Sequence, residues 1–236
     1  KVKAGGADPV SPRKFVVLSC LCKTVCQPPW QKKHRLVALN LPGHGSSAPA
    51  QEPRANYTVP GYAEIVADFA DKLLPLIGQC LSAVSGGHVL LEASEQLQNV
   101  PGLRLFGTQP LGNSIAKAFL PHPAMGLVFT RDLSTTEAEA VTAAFFKPGS
   151  EIPPFFLDGY TTDGRQGQEA LGISAGEGRY VDEVKIVADL MKPLAMGHGT
   201  EDPLINLSYL KGIHLRTYGA PEIQMISGGG AHSLLG

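Results

Sequence analysis

An α/β fold with a mostly parallel sheet is what this 236-residue sequence predicts. Three observations carry the prediction. Short β-type runs alternate with helical stretches along most of the chain. A Ser-Gly-Gly turn at 85–87 directly follows one of those runs. Between the strand-like runs at 103–106 and 194–196 lies a long segment of different, helical character.

Taken in order, Phe15-Val16-Val17-Leu18 reads as the first strand, and Arg35 to Asn40 as the next, stopped by Leu41-Pro42-Gly43-His44-Gly45. From Val59 to Ile77 the apolar residues Val59, Tyr62, Ile65, Val66, Phe69, Leu73 and Leu76 recur at helical spacing and make one buried face. Cys80–Val84 reads as a short strand leading into the serine turn, and Gly87–Gln98 as the helix beyond it. Leu103–Phe106, Leu194–Met196 and Ile223–Ile226 read as the later strands.

In the long segment, Ser134-Thr135-Thr136-Glu137 is a capping box with Leu133 placed to staple onto Ala138. The helix it starts should run to Phe146 and stop at Lys147-Pro148-Gly149. A second helix covers about Asp182 to Leu190, with Pro153-Pro154-Phe155-Phe156 and the glycine-rich stretch 159–178 as connections. Residues 1–114 and 191–236 therefore read as the core, and 115–190 as a helical cap inserted in it. The plainer alternative is an extension of the core with no covering role.

Composition narrows the function classes. A chain this long buries a sizeable core without a disulfide or metal staple. The formal net charge of −1, with no block of basic residues, argues against a nucleic-acid or anionic-membrane surface. The apolar runs are far shorter than the roughly 20 residues that span a bilayer. The polar, Gly- and Pro-bearing N-terminal stretch shows no cleavable signal pattern, so a cytoplasmic setting is expected. The chain starts at Lys1 rather than methionine, so a leading segment is expected to be missing. Cys20, Cys22 and Cys26 form a C-x-C-x3-C cluster, but no second Cys/His pair lies at zinc-ligand spacing, and no metal is expected. Oligomeric state is not legible.

The chemistry lies in three segments: Ala83-Val84-Ser85-Gly86-Gly87-His88, His198-Gly199-Thr200-Glu201-Asp202-Pro203 and Gly228-Gly229-Gly230-Ala231-His232. Acyl transfer by serine needs a nucleophile held clear of the sheet, a base within hydrogen-bond reach, and an acid that orients the base. Ser85 between the small residues Ala83 and Gly87 is the candidate nucleophile. His232 is the candidate base, and Asp202 would fix its tautomer. Gly86 would aim its N–H at the developing oxyanion. Each residue also has a bland reading: a turn that only begins a helix, an aspartate that caps, a solvated histidine.

The chain resembles the α/β-hydrolase superfamily, in its bacterial-type, capped serine hydrolases. The likeness rests on Val37 to Ser47, the Ser-Gly-Gly-His-Val-Leu-Leu-Glu-Ala run at 85–93, Phe106-Gly107-Thr108, Gly197–Pro203 and Gly228–His232. The resemblance implies a doubly wound sheet, hydrolysis of a carboxylic ester or related acyl bond on a small acyl substrate, and no cofactor. It also leaves one position open. A strict match on Gly86-Gly87-His88 puts Val84 in the nucleophile slot and Ser82 where the motif's first glycine belongs. Serine at the apex implies an enzyme; valine implies a protein that binds an apolar ligand under the cap. Ser19-Cys20-Leu21-Cys22 replaces the His-Gly that the resemblance implies at the second oxyanion donor, and with four residues after His232 the closing helix is expected to be missing. Weak activity is therefore expected even from an assembled triad. An aspartate nucleophile is disfavoured because no acidic residue lies between Ser82 and His88.

Overall fold

The computed structural model describes residues 2–4, 14–18, 35–44, 47–73, 79–152, 154, 156–157, 165–216 and 222–230. Among the described residues, seven strands form one sheet: β1 (Val2–Ala4), β2 (Lys14–Leu18), β3 (Arg35–Leu39), β4 (Gln79–Ala83), β5 (Leu103–Phe106), β6 (Leu194–Gly199) and β7 (Gln224–Ile226). Their order is β1-β3-β2-β4-β5-β6-β7. Only β1 runs antiparallel, against β3, and every other pair is parallel. The order reverses at β2, which has β3 on one side and β4 on the other, so the sheet is doubly wound as expected. Ligands in open sheets of this kind bind outside the carboxyl ends of the strands.

The helices follow from local chemistry. After α1 (Pro53–Asn56), α2 (Val59–Leu73) buries Val59, Tyr62 and Val66 of the expected stripe, with Ala63 and Ala70 beside them; Ile65 and Phe69 are partly buried against the core, and the Leu73 side chain and Leu76 lie outside the described residues. Helix α3 (Ser85–Glu92) leaves β4 directly and passes into a 3₁₀ turn at Ala93–Glu95. Beyond β5 and the short α4 (Met125–Val128), α5 (Thr135–Ala144) starts on the anticipated capping box. The Ser134 hydroxyl accepts from the Glu137 N–H, and the Glu137 carboxylate accepts from the Ser134 N–H. Asp182 caps α7 (Glu183–Asp189) by accepting from the Lys185 N–H, and α8 (Leu207–Lys211) is capped by Asn206.

Several boundaries differ from the sequence reading. The glycine-rich stretch 159–178, expected as a connection, contains α6 (Arg165–Gly176). Its contacts with α1 and α2 supply the stabilisation that its weak apolar pattern does not advertise. The helix after the serine turn begins at Ser85 rather than Gly87. Helix α5 stops at Ala144 with Phe145 as its C-cap. Strand β1 lies in the N-terminal stretch read only as polar; three residues at a sheet edge are too few to show a period.

One continuous core joins the sheet to the 115–190 segment. Leu103 and Leu105 of β5, Leu90 and Leu91 of α3, Val141 of α5, Phe145, Phe146, Phe156 and Val187 of α7 belong to it. Phe146 and Phe156 meet edge to face, ring centroids 4.9 Å apart. No helix among the described residues is long and apolar enough to cross a membrane.

Candidate functional site

Strand β4 ends at Ala83, helix α3 begins at Ser85, and the whole reversal falls on the residue between them. Val84 has φ 49° and ψ −123°, and it alone among the described non-glycine residues has a positive φ. A β-branched residue resists that conformation, which costs of order 1–3 kcal/mol. It persists because its neighbours hold it. The Val84 N–H donates to Phe106 O (2.9 Å), and Val84 O accepts from the Thr108 hydroxyl (3.0 Å) and the Gly87 N–H (3.0 Å). A Cβ on Gly87 would lie 2.0 Å from Thr108 Oγ1, so only glycine lets α3 approach this close.

The structure therefore answers the open question of register. Val84 is at the apex of the strand–turn–helix, and Ser85 is the exposed first residue of α3. Ser85, the expected nucleophile, thus follows the strained residue instead of occupying it. The steric demand for small flanking residues centres on the apex, and the apex is one residue earlier than Ser85. The first helical amides, those of Ser85 and Gly86, have no carbonyl to reach within α3, which keeps them available to an acceptor outside it.

Asp202 lies beyond the C-terminal end of β6 and is buried. Its Oδ1 accepts from the Leu204 and Ile205 N–H groups (2.8 and 3.2 Å), and its Oδ2 faces His198 Nε2 at 3.0 Å. His198 is itself fully buried, and its Nδ1 has no partner among the described residues, so the proton belongs on Nε2. The sequence reading used His198 only as part of a pattern.

The turn that carries Asp202 is zipped to the loop after β7. Thr200 N–H donates to Ile226 O (3.0 Å) and Glu201 N–H to Gly229 O (2.9 Å). Gly199 permits this approach, since a Cβ there would lie 1.9 Å from Gly229 O. His232, two residues past this loop's last described residue, lies outside the described residues, as do the 19–22 segment and Cys20, Cys22 and Cys26. Strands β4, β6 and β7 are parallel, so the Val84 turn, Asp202 and the 228–230 loop all occur at one edge of the sheet. No bond joins Ser85 to Asp202. At the end of β3, Gly43 (φ 75°) forms the anticipated turn. His44 Nδ1 lies 3.1 Å from Pro42 O, and burial lowers the pKa of this imidazole.

No family model matches the chain, and no curated protein matches it by sequence. Solved structures do match. The N-acyl homoserine lactonase AidH, complexed with N-butanoyl homoserine, superposes with a TM-score of 0.85 at 23% identity, covering 98% of this chain and 85% of that one. The 2-hydroxy-6-oxo-6-phenylhexa-2,4-dienoate hydrolase of Rhodococcus sp. strain RHA1 superposes with a TM-score of 0.75 at 17% identity, covering 99% and 88%. Carboxylesterase CesB of Bacillus subtilis does so at 0.72 and 16%, covering 98% and 80%. The fold of this chain is the α/β-hydrolase fold.

Proposed function

We propose that this protein takes a small acyl ester or lactone at the C-terminal edge of its sheet and hydrolyses it slowly. The observation that carries the reading is the backbone of Val84, a strained apex kept at φ 49° and ψ −123° by Thr108 and Phe106. Strain of this kind is retained where the surroundings serve a site. Its structural neighbours include a lactonase that binds N-butanoyl homoserine and a carboxylesterase, which supports an acyl carbonyl as the target.

In this reading Ser85, one residue past the apex, supplies the attacking hydroxyl, His232 takes its proton, and Asp202 orients the imidazole. The amides of Ser85 and Gly86 receive the oxyanion. Turnover is slow in this reading because Ser85 stands one residue past the strained position and not on it. Residues 1–114 and 191–236 are the core in this reading, 115–190 the cap, and the setting is cytoplasmic. A second reading is favoured by the identity of the apex residue itself: with an isopropyl group there, the site binds its acyl compound without turning it over.

The test uses the purified chain, its Ser85→Ala and Val84→Ser variants, p-nitrophenyl acetate and N-hexanoyl homoserine lactone. Slow hydrolysis of p-nitrophenyl acetate that disappears in Ser85→Ala is the expected result. Val84→Ser should raise the rate by about two to three orders of magnitude if base and acid stand ready, since triad members act as a unit. Zero turnover with calorimetric binding of the lactone selects the second reading. Rapid wild-type turnover that survives Ser85→Ala overturns the first.

A further inference from the structure

Helix α3 carries a second polar pair that the proposed chemistry leaves unused. Glu183, the first residue of α7, is fully buried, and both its oxygens face Nδ1 of His88 on α3 at 2.9 and 3.0 Å. The Leu111 N–H donates to the same carboxylate at 2.7 Å, and Leu111 O accepts from the Glu183 N–H at 2.8 Å. One helical turn further along α3, Glu92 accepts from the Val181 N–H at 2.9 Å. Tyr180 and Tyr209 donate to Gly112 O and Pro110 O at 3.1 and 2.8 Å, so the loop after β5 is held from several sides.

These contacts form a closed circuit. Thr108, three residues before Leu111, holds the apex carbonyl. Leu111 holds Glu183, Glu183 holds His88, and His88 stands one helical turn beyond the apex on α3. We propose that His88 and Glu183 are a clasp fastening the return helix of the 115–190 segment and the β5 loop to the apex helix, and that it can open while the sheet stays folded. The carboxylate is the pivot. It is wholly removed from water, so losing His88 leaves it, among the described residues, with the Leu111 amide, and a buried carboxylate so under-partnered is driven out toward solvent. The segments it would take along, 109–112 and 180–183, lie outside the sheet although Gln109 and Leu111 are buried, whereas β4 and β5 are held by the parallel ladder and the apolar core. The clasp stands whether or not the site turns over its ligand.

Native-state hydrogen exchange of the full chain, read by mass spectrometry, tests it in the wild type and in His88→Gln and Glu183→Gln. The Leu111, Val181 and Glu183 amides should exchange about tenfold faster or more in either variant, as expected for loss of a buried polar partner. Amides of β4 and β5 should keep the wild-type rate. Unchanged exchange at 109–112 and 180–183 would overturn the clasp. So would equal acceleration of the sheet amides, because the pair would then be ordinary core structure. Should Glu183→Gln fail to fold, His88→Gln, at a position partly open to water, gives the same two readings.

Discussion

At Val84 the chain spends conformational energy on a residue type poorly suited to the geometry it adopts. Thr108 and Gly87 explain how the turn survives: one supplies a hydroxyl to the apex carbonyl, and the other removes the Cβ that would collide with that threonine. Ser82, two residues before the apex, adds a second local cost. Its side chain is fully buried on β4, and its Oγ has no hydrogen-bond partner among the described residues. An unsatisfied buried hydroxyl costs about 1–3 kcal/mol. Ser82→Ala should therefore raise the urea midpoint, by about 1 kcal/mol of stability, with an unchanged m-value. A lowered midpoint would show that the hydroxyl is satisfied after all.

Among the elements, the contact between the β6 turn and the loop after β7 bears most directly on the site. Gly199 has backbone, not a movable side chain, against the place where a Cβ would go: Gly229 O at 1.9 Å and Gly229 C at 2.3 Å. Gly199→Ala must push the 228–230 loop away and stretch the Thr200–Ile226 and Glu201–Gly229 hydrogen bonds. The expected cost is about 1–3 kcal/mol, as for overpacking elsewhere, read as a lower urea midpoint. Any hydrolysis by the wild-type chain should fall with it, since this loop leads to His232. Wild-type stability in Gly199→Ala would mean that the two segments do not need this close approach. The Lys147–Glu201 ion pair, 3.0 Å long and half exposed on both sides, adds little to the same turn.

For the whole molecule, Cys80 on β4 is a natural reporter of global unfolding. It is buried in the shared core, and burial pushes its thiol pKa up to about 12. The thiolate needed for alkylation is then scarce at pH 8. Iodoacetamide labelling of the Cys80 peptide, followed by mass spectrometry across a urea series, should track the main unfolding transition. Labelling well below that midpoint would show that β4 opens locally. Lys192 closes the same region by donating to Leu97 O (2.5 Å) and Ser94 O (3.2 Å), and burial lowers its pKa.

Most of the sheet was legible because strand-forming runs are local. Leu103–Phe106 matches β5 residue for residue, and the capping box at Ser134–Glu137 forms with both of its hydrogen bonds. Val59, Tyr62 and Val66 of the expected helical stripe are buried for the same reason. Helix α6 and strand β1 were not legible, since partners distant in sequence stabilise them and neither carries a period of its own. The site divides in the same way. The three segments and their chain order, with Asp202 past a strand end, could be read from residue types and spacing. Whether Ser85 or Val84 stands at the apex could not, because both readings place small residues around a Ser-Gly-Gly turn. Tertiary structure decided for Val84: the β4–β5 register, the Phe106 carbonyl and the Thr108 hydroxyl together select which peptide unit bends. The pairings of His198 with Asp202 and of His88 with Glu183 were likewise decided in three dimensions. An imidazole takes whichever carboxylate the packing brings within hydrogen-bond reach, and for the partly buried His88 that carboxylate is 95 residues away along the chain.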